Sequence, residues 1–230
     1  MFGPFVSLER RRARALADTA PGPLHDYLAV PFPSRNRDLA EVELVVLDLE
    51  TTGLDPGRDR ILSMGWVLIR GLRVVLASAQ HHILRVDGPI PEAAAVLHEI
   101  TDDRAARGAP LESILPQLLQ TLAGRVMVAH HARLEQRFLD AACRRDLGGP
   151  FLAPTIDTLV LARRVLERRN HTLQSGDLRL FALGRRFGLP AYKAHDALYD
   201  ALATAELFLA LVADIAPRPP RPLKWFLSRR

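Results

Sequence analysis

The chain has 230 residues, of which 48% are hydrophobic and 25% are charged, and its formal net charge is +5. This composition is ordinary for a chain with a packed core, and the length fits one large domain or one domain with extensions. The absence of any apolar run of ~18 residues excludes a membrane-spanning helix, and the single cysteine, Cys143, excludes an internal disulfide and favours the reducing cytoplasm.

The two ends of the chain differ in composition from its middle. Residues 1–40 are predicted to be a basic, proline-containing extension, with a short basic helix in SLERRRARALAD and an irregular arm in APGPLHDYLAVPFPSRNRD. We place the compact domain at 41–214 and a Pro/Arg-rich tail, partly of polyproline II type, at 215–230. Trp225 and Phe226 of the tail could dock a partner protein. Equally, the tail could lie on its own domain.

Three predicted strands open the domain. EVELVVLDLE, DRILSMGWVLIRG and LRVVLASAQHHILRV are strand-like, and a turn at Gly71 makes a meander of the last two. The helix LESILPQLLQTL follows, with Pro116 either kinking it or marking its first turn. The strands RVMVA and APTIDT then alternate with helices, which indicates an α/β fold with a mixed five-stranded sheet and helices on both faces. The helix at about 131–146 is expected to bury Leu134, Phe138, Ala141 and Ala142.

Two carboxylates end the first predicted strand. Asp48 and Glu50 are two positions apart, so their side chains share a face of the sheet, at a strand end where α/β sheets carry their sites. Adjacent carboxylates repel unless a cation lies between them, and Mg²⁺ and Mn²⁺ prefer oxygen ligands. Thr51, Thr52 and Gly53 add hydroxyls and a flexible turn. Taken alone the pattern is weak, because an ordinary exposed strand end looks the same.

The sequence HDALYD begins the last predicted helix. His195 comes just before it, and histidine is well suited to taking a proton from water near neutral pH. Asp196 is expected to cap the helix, whereas Asp200 lies too far inside for that role. Ala197 and Ala201 are small enough to let the helix approach the sheet closely.

Five motifs occur in a recognisable order and spacing: DLETTGL, HEIT, AHHARLEQRFL, IDTLVLARRV and HDALYDALATAELFLAL. In these motifs the chain resembles the DnaQ-like 3′–5′ exonucleases of the DEDDh branch, the family of the proofreading epsilon subunit of bacterial DNA polymerase III. The resemblance covers roughly residues 42–213. It implies a ribonuclease H-like three-layer fold, which agrees with the predicted order of strands and helices. It also implies that the partner docked through the ends of the chain could be a polymerase or another protein.

The resemblance also implies a set of site residues. Asp48, Glu50 and Asp200 would be metal ligands for two Mg²⁺ or Mn²⁺ ions, and His195 would be the general base. The residues implied to lie beside the substrate are Thr51, Thr52, Gly53, Leu54, His98, Thr101 and His131. Leu54 stands where the family often packs an apolar side chain on the terminal base, although Leu54 and His98 could equally be core or capping residues.

One motif departs from the family pattern, which reads roughly His-Asn-Ala-x-Phe-Asp. This chain has HHARLE at residues 130–135, so His130 keeps the register and His131 replaces the asparagine. Glu135 becomes the implied fourth metal ligand, one methylene longer than aspartate. Two other interpretations remain open: a zinc-binding face made by His131 and Glu135 at i and i+4, or an ordinary surface pair on a helix.

The expected activity is stepwise two-metal hydrolysis at single-stranded or unpaired 3′ ends of DNA, which releases nucleoside 5′-monophosphates. All but Lys193 and Lys224 of the 31 basic residues are arginines, which suit phosphate contact, although a GC-rich genome would give the same excess. The alternatives are trimming of RNA or degradation of oligoribonucleotides on the same fold, and a non-catalytic module that binds nucleic acid or a partner. Because every implied ligand position holds a chemically able residue, we favour an enzyme.

Overall fold

The computed structural model describes residues 7–228. Positions 1–6 of the predicted extension and 229–230 of the predicted tail lie outside the described residues. The strands are β1 (Leu44–Thr51), β2 (Ile61–Arg70), β3 (Arg73–Ile83), β4 (Val126–Ala129) and β5 (Thr155–Asp157). They form a five-stranded sheet in the order β3-β2-β1-β4-β5.

The sheet is mixed, as predicted. β1 pairs antiparallel with β2 and β2 with β3, whereas β1, β4 and β5 run parallel. The turn between β2 and β3 passes through Gly71 and Leu72, both at positive φ, and glycine adopts such a conformation at little cost. Because β1 and β4 are parallel, the C-terminal ends of these two strands lie at the same end of the sheet. Helices connected to the strands lie beside that end.

The described residues contain the following α-helices: α1 (Leu8–Asp18), α2 (Pro23–Ala29), α3 (Glu92–His98), α4 (Asp102–Ala106), α5 (Leu111–Leu122), α6 (Arg133–Asp146), α7 (Thr158–Arg168), α8 (Leu180–Arg186) and α9 (Ala197–Ile215). Pro116 lies inside α5 rather than at its start. Within residues 7–228, no helix combines the length and the apolar character needed to cross a membrane.

Alternate side chains of β1 enter two separate hydrophobic cores. Val45, Leu47 and Leu49 pack with α2, α5 and α6 on one face of the sheet. Leu44 and Val46 pack with α7, α8 and α9 on the other. The result is the predicted three-layer arrangement of helices, sheet and helices, and the alternation puts Asp48 and Glu50 on the α9 face.

The predicted irregular N-terminal arm is wrong for residues 23–29, which form the helix α2. Leu24, Tyr27 and Leu28 of α2 are buried in the α5–α6 core. The Tyr27 hydroxyl donates a hydrogen bond to the Leu152 carbonyl at 2.7 Å. Pro23 occupies the first turn, where its missing N–H costs nothing. The prolines thus bound a short helix instead of excluding one.

The C-terminal segment lies on its own domain, which was one of the two sequence interpretations. Leu39 and Leu223 donate backbone hydrogen bonds that tie the tail to the segment before β1, to Arg221 at 2.8 Å and to Arg37 at 2.9 Å. Phe226 is 1% exposed, so the prediction that it could anchor a partner is wrong. Trp225 remains exposed.

Candidate active site

Three carboxylates meet at the end of β1 where β4 also ends. Asp48, Glu50 and Asp200 each offer an oxygen within 4.8 Å of the others. Asp48 and Glu50 lie in the C-terminal half of strand β1, and Asp200 lies in the first turn of α9. The structure therefore brings together three of the four acids that the sequence implied.

A close contact between β2 and α9 makes this meeting possible. Gly65 pairs with Asp48 across the β1–β2 ladder. A Cβ atom on Gly65 would lie 2.3 Å from the backbone of Ala197 and Leu198, which leaves no room for any side chain. Asp196 then caps the helix, accepting hydrogen bonds from the N–H groups of Leu198 and Tyr199 at 3.1 and 3.2 Å. Asp196 thus has the capping role expected of it, and Gly65 was missed.

The fourth acid, Glu135, reaches the site from the opposite layer. It is 2% exposed and lies on the buried face of α6. Of the expected buried stripe of α6, Phe138 and Ala142 are buried, Leu134 is partly buried against the same core, and Ala141 is only partly buried. The fully buried residues of α6 are Glu135, Phe138, Leu139, Ala142 and Cys143. Glu135 is not in the group of three within 4.8 Å, yet its charge raises the pKa of Asp48.

The two alternative interpretations of the His131–Glu135 pair are wrong. His131 precedes α6, is exposed and has a left-handed φ of 67°. Because the two residues do not share a helix, they form neither an i,i+4 surface pair nor a zinc-binding face. Glu135 is buried and His131 is exposed.

Asp157 holds the turn that leads into α6, and the sequence analysis missed it. Its carboxylate accepts hydrogen bonds from the backbone N–H groups of His131 and Ala132, both at 3.1 Å. The same carboxylate caps α7 by accepting from Leu159 at 3.0 Å. Asp157 therefore sets where α6 begins and so where Glu135 points. An aspartate directly before a helix is a capping signal that could have found it.

His130 is a structural residue of the same turn. Its Nδ1 lies 2.8 Å from Thr158 Oγ1 and its Nε2 lies 2.9 Å from the Leu178 carbonyl. Burial lowers the pKa of His130, which favours the neutral form of the ring. His130 thus links β4, α7 and the segment before α8.

The acids of the site raise one another's pKa. Burial, followed by the charges of Glu135 and Glu50, raises the pKa of Asp48 well above its usual range. Burial and the charge of Glu50 raise the pKa of Asp200 to about 7. Burial, with the charges of Asp157 and Glu50, raises the pKa of Glu135 to about 8. Such a cluster is unfavourable when ionised unless a cation joins it.

Several buried oxygens of these acids have no hydrogen-bond partner among the described residues. They are Glu50 Oε1, Asp200 Oδ1 and Glu135 Oε2. An unpaired buried acceptor is costly, and the same oxygens are the ligands that Mg²⁺ and Mn²⁺ prefer. The residues present therefore fit divalent metal ions.

Two histidines lie beside the carboxylates. His98, the last residue of α3, has its Nδ1 2.6 Å from Glu50 Oε2. His195 is exposed, has a left-handed φ of 66° and points its backbone N–H at Asp200 Oδ2, 3.4 Å away. The two imidazole rings are 6.0 Å apart and nearly perpendicular. His98 is thus neither core nor cap but part of the site.

The loop after β1 is held by its own side chains. Thr51 Oγ1 donates a hydrogen bond to the Gly53 carbonyl at 2.6 Å, and Thr52 Oγ1 donates to Asp59 Oδ1 at 3.1 Å. A Cβ atom on Gly53 would lie 2.5 Å from the Asp59 carboxylate. Leu54, at the tip, is 73% exposed, so it is not a core residue. Asp59, which braces this loop, was missed.

Other exposed apolar side chains lie on the elements around the site. Val96 is 73% exposed and its neighbour Leu97 is also exposed, both on α3 just before His98, and Tyr199 is exposed on the first turn of α9. The sequence analysis singled out none of these three. Thr101 caps α4, its Oγ1 accepting a hydrogen bond from the Arg104 N–H at 3.3 Å.

The chain matches the RNase_T family, described as exonuclease, over residues 45–208. It is 33% identical over 179 residues to the DNA polymerase III PolC-type of Thermotoga maritima, and 28% identical over 190 residues to that of Staphylococcus haemolyticus. The alignments cover 78% and 81% of this chain. The chain spans only 12% of the length of these relatives.

Two solved structures share the fold. One is Exonuclease X in complex with 5′ overhanging duplex DNA, with a TM-score of 0.59, 24% identity, and coverage of 79% of this chain and 97% of that one. The other is E. coli Exonuclease I in complex with a dA16 oligonucleotide, with a TM-score of 0.65, 18% identity, and coverage of 77% and 42%. The predicted ribonuclease H-like fold is confirmed. With a family match over most of its length, the chain belongs to the RNase_T exonucleases, the DnaQ-like enzymes that its motifs resemble.

Proposed function

We propose that the chain is a divalent-metal-dependent 3′–5′ exonuclease that shortens single-stranded or unpaired 3′ ends of DNA and releases nucleoside 5′-monophosphates. The observation that carries this proposal is that carboxylate oxygens of Asp48, Glu50 and Asp200 lie within 4.8 Å of one another. The group lies at the end of the central strand β1, next to an exposed histidine. The 3′–5′ direction rests on the resemblance of the motifs to the DEDDh branch.

The four acids have distinct tasks in this proposal. Asp48, Glu50 and Asp200 would hold two Mg²⁺ or Mn²⁺ ions, and Glu135 would act as a fourth ligand, directly or through water. When bound, these ions would supply positive charge against the charge that develops on the scissile phosphate and on the departing 3′ oxygen. The unpartnered oxygens of Glu50, Asp200 and Glu135 support this assignment.

His195 would accept the proton of the attacking water. Its ring is exposed, so a proton taken from the water can pass on to solvent. Its backbone N–H faces Asp200 Oδ2 at 3.4 Å, which keeps the histidine next to a metal ligand. Histidine is well matched to this role near neutral pH.

The surroundings of the site support an unpaired terminal nucleotide as substrate. Leu54, Val96 and Tyr199 offer exposed apolar surface on three different elements, and bases stack or pack on such surface. The PolC-type relatives are named as DNA polymerases, and the two structural neighbours were solved with DNA, which favours DNA over RNA. The free, buried Cys143 is consistent with action in the cytoplasm.

Two single-stranded oligonucleotides labelled at the 5′ end, one DNA and one RNA of the same sequence, test the proposal. We expect a ladder of products shortened from the 3′ end on DNA with Mg²⁺ or Mn²⁺, none with a chelator, and none with Asp48→Asn. A ladder on RNA alone would replace DNA with RNA as the substrate. A folded protein that binds both oligonucleotides and cuts neither would be a binding module.

A further inference from the structure

We propose that Glu50, His98 and His195 form a zinc-binding site beside the all-carboxylate site. These three residues offer one carboxylate oxygen and two imidazole nitrogens within 4.8 Å of one another. They come from three separate elements, β1, α3 and the segment before α9. The group shares Glu50 with the acids but otherwise has different ligand chemistry.

The ligand types distinguish this group from a Mg²⁺ site. Mg²⁺ takes oxygen ligands and keeps several waters, whereas two histidines and one carboxylate are a set that binds Zn²⁺ and leaves a fourth position open. Ligand atoms in a tetrahedral zinc site lie about 3.3 Å apart. Since the three atoms are already within 4.8 Å, an adjustment of about 1.5 Å at most would complete the site.

One buried atom of this group has no partner. The side chains of His98 and Glu50 are only 8% and 7% exposed. His98 Nδ1 lies within ion-pair distance of Glu50 Oε2, at 2.6 Å, whereas Glu50 Oε1 has no hydrogen-bond partner among the described residues. An acceptor left unpaired in a buried position is costly. A zinc ion held by the two histidines and Glu50 would satisfy this carboxylate.

His195 is the ligand that can move. It is exposed and sits at a left-handed φ of 66°, directly before the cap of α9. Two residues earlier, Lys193 makes an ion pair with Glu99, the neighbour of His98. This pair already joins the His195 segment to the end of α3. The imidazole can therefore approach His98 while α9 stays packed on the sheet.

Zinc at this site would inhibit the nuclease, a consequence that rests on the proposed function. A zinc ion bound to the imidazole takes the lone pair with which His195 would accept a proton from water. It would also engage Glu50, one of the implied ligands of the catalytic ions. We therefore expect Zn²⁺ to inhibit in the presence of excess Mg²⁺.

Equilibrium dialysis against Zn²⁺ in excess Mg²⁺ tests the site without reference to activity. We expect one zinc per chain in the parent, and binding weakened by about 100-fold or more in His98→Gln, because even outer-shell changes cost metal sites 10–100-fold. His195→Gln, at an exposed position where folding is not at risk, should weaken binding equally. His25→Gln, at a histidine on α2, is the matched control and should bind zinc as the parent does.

Asp48→Asn separates the two metal sites. If it retains zinc while His98→Gln loses it, the ion sits on the histidines. If Asp48→Asn loses zinc and His98→Gln retains it, or if the parent binds none, the proposal is overturned. The dialysis result holds even if no variant cuts DNA. For an active parent, Zn²⁺ should lower the rate, and an undiminished rate with zinc bound would overturn the inhibitory role alone.

Discussion

The candidate site has two parts that the fold builds in different ways. In the first part, Asp48 and Glu50 from β1 and Asp200 from α9 share one face of the sheet and lie within 4.8 Å. In the second part, Glu135 belongs to α6, whose other buried residues pack on the opposite face. The first part is a strand and a helix in direct contact, and the second is one side chain that must reach past the end of the sheet.

This difference suggests why glutamate is usable in the second part. The position of the first part is fixed by backbone contact at Gly65, where a missing Cβ lets α9 touch β2. The position of the second part depends on the turn that Asp157 holds. The Glu135 carboxylate lies outside the group formed by Asp48, Glu50 and Asp200. A longer side chain there can meet an ion directly or through a water, which Mg²⁺ tolerates.

The largest expected effect comes from removing a ligand of the first part. Asp48→Asn should lower the exonuclease rate by about 1000-fold or more, since even outer-shell partners of metal sites contribute 10–100-fold. The variant should still fold, because it replaces a carboxylate whose pKa burial raises. Rates on single-stranded DNA, beside Asp55→Asn on the exposed loop as a control, measure this. Equal rates in both variants would contradict the metal site.

The next effect comes from moving α9 without touching an acid. Gly65→Ala should lower the rate by about 100-fold, the usual result of a ~1 Å displacement in a site. It should also cost about 1–3 kcal/mol in the free energy of unfolding, as overpacking does. The added Cβ would meet the backbone of Ala197 at 2.3 Å, so the helix has to shift.

The control for that change is Gly184→Ala, a glycine-to-alanine change on helix α8. A Cβ at Gly184 meets nothing within 4 Å, so this variant should keep the parental rate and be slightly more stable. Exonuclease rates and denaturation curves of Gly65→Ala and Gly184→Ala show whether the effect is specific to the contact between β2 and α9. A Gly65→Ala protein as active as the parent would show that the first part does not depend on the position of α9.

A smaller effect is expected in the second part. Glu135→Gln should lower the maximal rate by about 10–100-fold, because a neutral amide cannot replace a carboxylate at an ion. Glu135→Asp should recover a large share of the activity, since it restores the family acid. Single-turnover rates with Mg²⁺ and with Mn²⁺ separate the two variants. If Gln is as active as the parent, Glu135 has no ligand role.

The resemblance of the motifs implied the residues of the first part, and local signals in the sequence agree with it. Asp48 and Glu50 share a face through strand alternation, and Asp200 follows Asp196, a recognisable cap, by one turn. The buried runs of the strands and the stripe of α9 likewise predicted the three layers. These features depend on residues close together along the chain.

The features that the sequence did not reveal depend on contacts between distant residues. Nothing near Gly65 indicates that Ala197 will lie against it, and nothing near His131 indicates that Asp157 will hold its N–H. The burial of Glu135 was missed for a different reason. A buried stripe is predicted from apolar side chains, so Glu135 was left out of the stripe of α6 although the resemblance implied a ligand role for it.

The smallest expected effect is a change of folding stability with pH, to which acids of both parts contribute. The folded-state pKa of Asp200 is raised to about 7 and that of Glu135 to about 8, so the folded protein holds these protons more tightly than the unfolded chain does. Stability is therefore intact below the ordinary carboxyl range and is lost as the pH rises through these values. Without metal, the melting temperature should fall by several degrees between about pH 5 and pH 8.

Divalent ions should reverse this loss, and the reversal distinguishes the two parts. Mg²⁺ binds ionised carboxylates, so it should raise the melting temperature more at pH 8 than at pH 5. In Glu135→Gln the fall without metal should be smaller, while much of the Mg²⁺ effect should persist on Asp48, Glu50 and Asp200. In Asp48→Asn the Mg²⁺ effect itself should shrink most. Scanning calorimetry across this pH range, with and without Mg²⁺, measures the fall of the melting temperature with pH and its recovery by Mg²⁺. A melting temperature that does not change with pH would mean that these acids do not share one site.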